Sequence, residues 1–313
     1  MDYFTNITYL SLEGHVELEK YRYVYFLITL IVYILIIFCN AVVISVIYTS
    51  KRLHEPMYIF IAALLCNALF GTAAFYPKLL SDFLSETPVI SREACMIQAF
   101  CIYTYGVSEF ALLSAMAYDR YVSICKPLQY ATLVKMSTVK KALFFCWFVP
   151  SCEMGISIIL TYRQLCKFKL NRIYCSNYTI AKLSCGDITV INSYGLFLLS
   201  IGVFPPVTFI IYSYVRILDV CLKNSKEFRR KALQTCFPHL FIFISFSVTA
   251  CFEVINSRLD GNVPHFFSLL MSVENAVIPP LLNPIIYGLK LQEISNRIKG
   301  MILKLNTFFR LKF

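Results

Sequence analysis

The chain has 313 residues, 58% of them hydrophobic and only 15% charged, with a formal net charge of +11 at neutral pH. Soluble domains carry about 25% charged residues, so a water-soluble globular fold is excluded and a polytopic membrane protein is the class that remains. The excess positive charge does not mark a nucleic-acid binder, because Lys and Arg gather in short loops between apolar runs and in the C-terminal tail.

Residues 1–23 are polar, contain Glu13, Glu17 and Glu19, and carry a glycosylation sequon at Asn6-Ile7-Thr8. No short apolar region with a small-residue cleavage site precedes them, so a cleavable leader is not expected. They are read as an extracellular segment with Asn6 as a glycan site, since a sequon is used only on the lumenal side.

Seven apolar stretches follow, at about 24–48, 57–83, 96–124, 141–161, 193–218, 232–256 and 265–289. Each is near the ~20 residues that a spanning helix needs. They are too long and too uniformly apolar for the alternating ~10-residue strands of a membrane barrel. The expected fold is an all-α membrane protein, a seven-transmembrane helix bundle over 24–289 with its N-terminus outside. Charge supports that orientation: Lys51, Arg52, Lys126, Lys140, Lys141 and the Arg229-Arg230-Lys231 run all fall on the inner side. Lys20 and Arg22 oppose it locally.

The longest outer loop, about 162–192, carries three cysteines and a second sequon at Asn177-Tyr178-Thr179. Most of the 13 cysteines lie within apolar runs, where a free thiol acts as a small hydrophobe. Cys95, Cys166, Cys175 and Cys185 instead lie in or beside outer polar segments, where disulfides persist. Spacing alone leaves three pairings of the four open. Residues 290–313 form the inner tail, in which Ile294, Ile298, Ile302 and Leu305 recur at helical spacing with Arg297, Lys299 and Lys304 between them. That pattern predicts a short amphipathic helix on the anionic inner leaflet.

Catalytic signatures are missing. The chain has no GxSxG, HExxH, P-loop or GxGxxG, and no CxxC pair for zinc. His15, His54, His239 and His265 are scattered over a tail, an inner loop and two spans, so no enzyme, metal or cofactor is expected. Charges inside spans are costly and therefore point to function. They are Glu109, Glu153, Glu253, Glu274 and, at the inner end of the third span, Asp119-Arg120. Prolines interrupt span five (Pro205-Pro206), span six (Pro238) and span seven (Pro279-Pro280, Pro284), with no matching pair expected in the first half. An odd span count and that asymmetry argue against a transporter of two equal halves. Helices bent by proline around a charged hub suit a switch between two packings.

Five motifs in order resemble the rhodopsin-like G-protein-coupled receptors, and among them the odorant receptors, the fish-type receptors included. They are Leu53-His-Glu-Pro-Met-Tyr-Ile-Phe60, Met116-Ala-Tyr-Asp-Arg-Tyr-Val-Ser-Ile-Cys125, Ser213-Tyr-Val-Arg-Ile-Leu218, Lys231-Ala-Leu-Gln-Thr-Cys-Phe-Pro-His-Leu240 and Pro280-Leu-Leu-Asn-Pro-Ile-Ile-Tyr287. The resemblance covers about 24–300. It implies a plasma-membrane receptor of olfactory sensory neurons that takes a small odorant from outside. It would activate a heterotrimeric G protein, stimulatory and raising cyclic AMP. A receptor for another small ligand, outside olfaction, is the alternative, with a seven-span transporter behind it.

Carried over by position, the resemblance makes Arg120 the hub released on activation, with Asp119 and Tyr121 beside it. Tyr214 and Tyr287 become the tyrosines that swing towards it, and Asn283 and Pro284 part of the same switch. It pairs Cys95 with Cys175 and Cys166 with Cys185, and leaves Asn177 as a second glycan site. It places the odorant between spans three, five and six, against Tyr103, Gly106, Val107, Leu198, Gly202, Cys251 and Val254. Arg258 matches in offset an arginine used by some acid-sensing relatives, to hold a ligand carboxylate; an ordinary rim charge, or a partner for Glu253 or Asp260, is the other reading. The family's mid-membrane acid in span two is replaced by Ala68, beside Asn67. A sodium ion wants several oxygen ligands, so Glu109 alone counts against one.

Overall fold

A computed structural model describes residues 9–14, 21–258 and 265–301, with side chains described except at 231, 235, 254–258, 265–275 and 290. Its long helices are α1 (Arg22–Thr49), α2 (Pro56–Leu84), α3 (Arg92–Cys125), then, past the one-turn α4 (Tyr130–Leu133), α5 (Met136–Thr161). After α6 (Asn177–Ala181) in the outer loop come α7 (Thr189–Leu222), α8 (Lys226–Arg258) and α9 (His265–Lys290). Residues 292–301 form a further helix after the seventh span, in which Ile294 is fully buried.

Six of the seven long helices are apolar enough over 18 residues to cross a membrane, and the seventh contributes a shorter apolar helix, Ala276–Leu289, among the described residues. At about 1.5 Å per residue the 34 residues of α3 and of α7 reach well past the ~30 Å hydrocarbon layer. The ends hold because they are satisfied locally. The Ser91 hydroxyl accepts from the Ala94 amide at 3.2 Å, with Glu93 in the first turn of α3, favourable at a helix N-terminus. Pro56 opens α2 where its missing N–H is not needed.

Helix α3 is the axis of the bundle, packing on α2, α5, α7 and α8. Its inward face joins Leu64, Leu65, Leu112, Met116, Ile210 and Phe246 in one apolar core. Gly71 permits the closest approach of α2 to α3, since a Cβ there would sit 2.5 Å from Cγ of Tyr105. The outer surfaces of α1, α5 and α7 expose large apolar side chains such as Phe38, Phe144, Phe204 and Ile211, which suits contact with lipid tails.

Prolines sit inside α2 (Pro77) and α5 (Pro150) as well as in the last three spans. This corrects the expectation that they are confined to the second half. Two of those in α9 have identifiable compensation. Proline lacks the N–H that would bond the carbonyl four residues earlier, so Pro284 orphans the Pro280 carbonyl and Pro280 orphans that of Ala276. Asn40 of α1 donates to the Pro280 oxygen at 2.9 Å, and the Tyr76 hydroxyl of α2 donates to the Ala276 oxygen at 3.3 Å. Side chains of neighbouring helices thus restore bonds that hydrocarbon cannot supply.

The extracellular side is more ordered than a polar tail and a loop would suggest. Strand β1 (Tyr9–Leu12) lies between β2 (Val89–Ser91) and β3 (Lys169–Leu170). It runs antiparallel to β2, with Leu10 opposite Ile90, and parallel to β3, with Leu12 opposite Leu170. Leu10 and Leu12 are buried while Tyr9 is exposed, the alternation of a half-covered strand. Two disulfides fasten this cap, Cys95–Cys175 and Cys166–Cys185.

Candidate ligand cavity and switch residues

Beneath the outer loop a cavity of about 170 Å³ opens between α3, α5, α7 and α8. Its apolar wall includes Gly106, Val107, Phe110, Leu198, Val203 and Phe246, and its polar groups include Tyr103, Ser157, Tyr174, Asn177, Asn192 and Glu253. An apolar cavity of about 150 Å³ holds a benzene molecule, so a single-ring or short-chain compound fits here.

Of the residues the resemblance suggested, Tyr103, Gly106, Val107 and Leu198 line this cavity. Gly202 does not line the cavity; it is half-buried and packs behind the wall, where an added Cβ would meet Val107 Cγ1 at 3.4 Å. Cys251 is exposed on the outside of the bundle, and Ala250 and Glu253 of the same helix supply the inward face instead. The error is one of helical phase: one residue is about 100° of rotation. The side chains of Val254 and Arg258 lie outside those described, as does Asn6.

Glu253 is paired from the loop side. Arg172 Nη1 lies 3.4 Å and the Tyr174 hydroxyl 2.5 Å from its Oε1. The described partners of this carboxylate are thus Arg172 and Tyr174, a cross-loop contact that no local pattern announces. Burial, then the adjacent carboxylate, pushes the Tyr174 hydroxyl well above tyrosine's usual range, so it stays a donor.

Asn177, the second sequon position, lies at the cavity wall. It opens α6 and its Nδ2 donates to the buried Ser157 hydroxyl at 2.5 Å, facing into the cavity. A glycan attaches through that same nitrogen, which is engaged here by Ser157.

Midway along α3, Glu109 is fully buried and neutralised by no described cation. Asn67 Nδ2 donates to its Oε2 at 2.8 Å and Asn283 Nδ2 to its Oε1 at 2.9 Å. The two amides supply donors where a cation would supply charge, and Ala68 adds none. Among the described residues no cluster of three or more His, Cys, Asp or Glu side chains is placed to hold a metal.

At the inner end Asp119 accepts from the Tyr130 hydroxyl of α4 at 2.8 Å, and Arg120 Nε lies 3.9 Å from Asp119 Oδ2. Arg120 folds back toward its sequence neighbour, as adjacent helical positions require, and its Nε is buried without a hydrogen bond. Tyr287 shares a hydrogen bond with His239 Nδ1 at 3.0 Å, and Tyr214 donates to the Cys236 carbonyl at 3.5 Å. Both tyrosines are thereby tied to α8 rather than to Arg120. Tyr121 turns away, its ring 6.2 Å from that of Tyr212 on α7. Pro284 is buried beside Asn283.

A sequence profile of the olfactory receptor family matches residues 29–305. The chain belongs to the olfactory receptor family. Its relatives include human olfactory receptor 52A5, 33% identical over 85% of each chain, and human olfactory receptor 52B6, 35% identical over 87% of this receptor and 82% of the relative. Mouse olfactory receptor 10H28 is 33% identical over 87% of each. Among solved structures, squid rhodopsin superposes with a TM-score of 0.76 at 16% identity, covering 92% of this receptor and 87% of that chain. The fold is therefore the seven-helix bundle of a rhodopsin-like receptor. The receptor is a multi-pass protein of the plasma membrane, in a family of signalling receptors rather than enzymes.

Proposed function

We propose that the receptor binds a small odorant in the outer cavity and, through α8, α9 and Arg120, activates a stimulatory heterotrimeric G protein that raises cyclic AMP, in an olfactory sensory neuron. The observation that carries this is the arrangement along α3. A mostly apolar cavity sized for one small molecule lies above Glu109, and Glu109 is linked to α2 and α9 by Asn67 and Asn283. Below it, the described ion pair of Arg120 is the loose one with Asp119 at 3.9 Å, and Tyr214 and Tyr287 are parked on α8.

A ligand that pulls α8 towards the cavity through Phe246 or Glu253 also moves Cys236 and His239, the partners of those tyrosines. The two ends communicate because they share one helix, and ligand binding shifts the packing only by its differential affinity for the two arrangements. Expressed with a cyclic-AMP reporter, the receptor is expected to respond to a small odorant in a saturable way. Here Phe246→Ala is expected to shift the response to higher concentration, and Arg120→Ala to abolish output without loss of surface expression. A ligand response untouched by Arg120→Ala refutes the coupling route.

A further inference from the structure

Glu253 Oε2, Asn177 Oδ1 and Asn192 Oδ1 are each buried and accept no hydrogen bond, and all three residues line the one outer cavity. Among the described residues of that wall, the fully buried polar atoms without a partner are these three acceptors and the Tyr105 hydroxyl, which donates or accepts. Glu253 is about nine-tenths buried. Arg172, which is not part of the wall, and Tyr174, which is, both hold its Oε1. Arg172 sets a positive charge beside this carboxylate, and its second oxygen, on a residue of the cavity wall, has no partner. A buried acceptor left without a donor is costly, most of all on a charged group.

The groups that relieve it are N–H donors on a cation. A carboxylic acid meets acceptor oxygens instead, and reaches Arg172 only by displacing Glu253. We infer that the ligand is a small organic amine whose protonated ammonium donates to Glu253 Oε2, with Asn177 and Asn192 as further acceptors, and whose hydrocarbon body fills the space against Val107, Phe110 and Phe246. This rests on the odorant-receptor reading above and names its ligand class.

The test uses the full-length receptor purified into lipid nanodiscs, with direct binding of phenethylamine, phenethyl alcohol and phenylacetate, and of the six-carbon aliphatic series of the same three groups. A charge-assisted hydrogen bond discriminates by about 10- to 100-fold, so at least one amine binds about tenfold or more tighter than its matched alcohol and acid. Glu253→Gln brings that amine down to the alcohol. Asn192→Leu, which breaks no ion pair and stands in should Glu253→Gln fail to fold, weakens the amine several-fold and spares the alcohol. Failure of every amine to bind, equal affinity for the three groups, or a preference for the acid overturns the assignment. Amine binding with a silent cyclic-AMP reporter leaves the amine site standing and removes the signalling reading instead.

Discussion

Glu109 offers a measurement in which a single substitution changes sign with its background. Both its oxygens are served by one amide each, at 2.8 and 2.9 Å, in a fully buried position. Asn283→Leu keeps the volume and strips Oε1 of its described donor. A hydrogen bond to a charged group contributes about 1.5–3 kcal/mol, so stability should fall by that amount. At about 2 °C per kcal/mol for a chain of this size, the unfolding midpoint drops by about 3–6 °C. In a Glu109→Leu background the same change removes an amide that has lost its acceptor and whose own Oδ1 already lacks a donor. There it should be neutral or stabilising. Thermal unfolding of the four proteins in nanodiscs closes the cycle. An equal loss in both backgrounds, with coupling below about 0.5 kcal/mol, refutes the idea that Asn283 is held for the carboxylate.

Other consequences are as direct. Gly71→Ala should destabilise by about 1–3 kcal/mol through overpacking on Tyr105, and Tyr105→Leu should recover part of it in the same melt. Tyr76→Phe strands the Ala276 carbonyl and should cost about 1 kcal/mol; Pro280→Ala, which restores an N–H at the right place, should rescue it, and absence of rescue removes the proline account. Gel mobility before and after deglycosylation should be unchanged by Asn177→Gln and altered by Asn6→Gln. Asp187 accepts from the Thr189 hydroxyl at 2.6 Å and amide at 2.9 Å, which holds its carboxyl below the usual range. A depressed folded value gives stability that is present above the unfolded value and lost as pH falls through the folded one. Amide exchange at 189–192, corrected for its intrinsic pH dependence, should therefore accelerate below about pH 4, and Asp187→Asn should abolish that dependence.

The helices were legible because a spanning segment must be apolar along its whole length, a local property. Their ends were less so: α7 begins four residues before the predicted 193 and ends four after 218. Hydropathy registers the lipid layer, whereas Asp187 and Asn224 satisfy turns that stand in water. The disulfide pairing came from the family resemblance and not from spacing, which left three pairings open. What escaped was rotational or distant. Cys251 was misplaced by helical phase, and the Arg172–Glu253 pair joins residues 81 apart. The three strands of the cap have four, three and two residues, too few for a periodic signal. Asn177 matched a sequon perfectly well, but a sequon records chemistry and not the direction a side chain faces.

The outer cap also sets a clock. Its central strand is made first, at residues 9–12, its second at 89–91, and its third only at 169–170. Cys95 likewise waits for Cys175, 80 residues later. During synthesis the N-terminal strand can pair with β2 after two spans, but its other edge must stay open on the far side of the membrane until four are inserted. The sheet, the first bridge and then the Cys166–Cys185 bridge all close within the next 16 residues after 169. More than half of the chain is thus committed before the extracellular sheet can be completed or bridged, and a delay at that one point leaves one edge of the strand and two thiols exposed together.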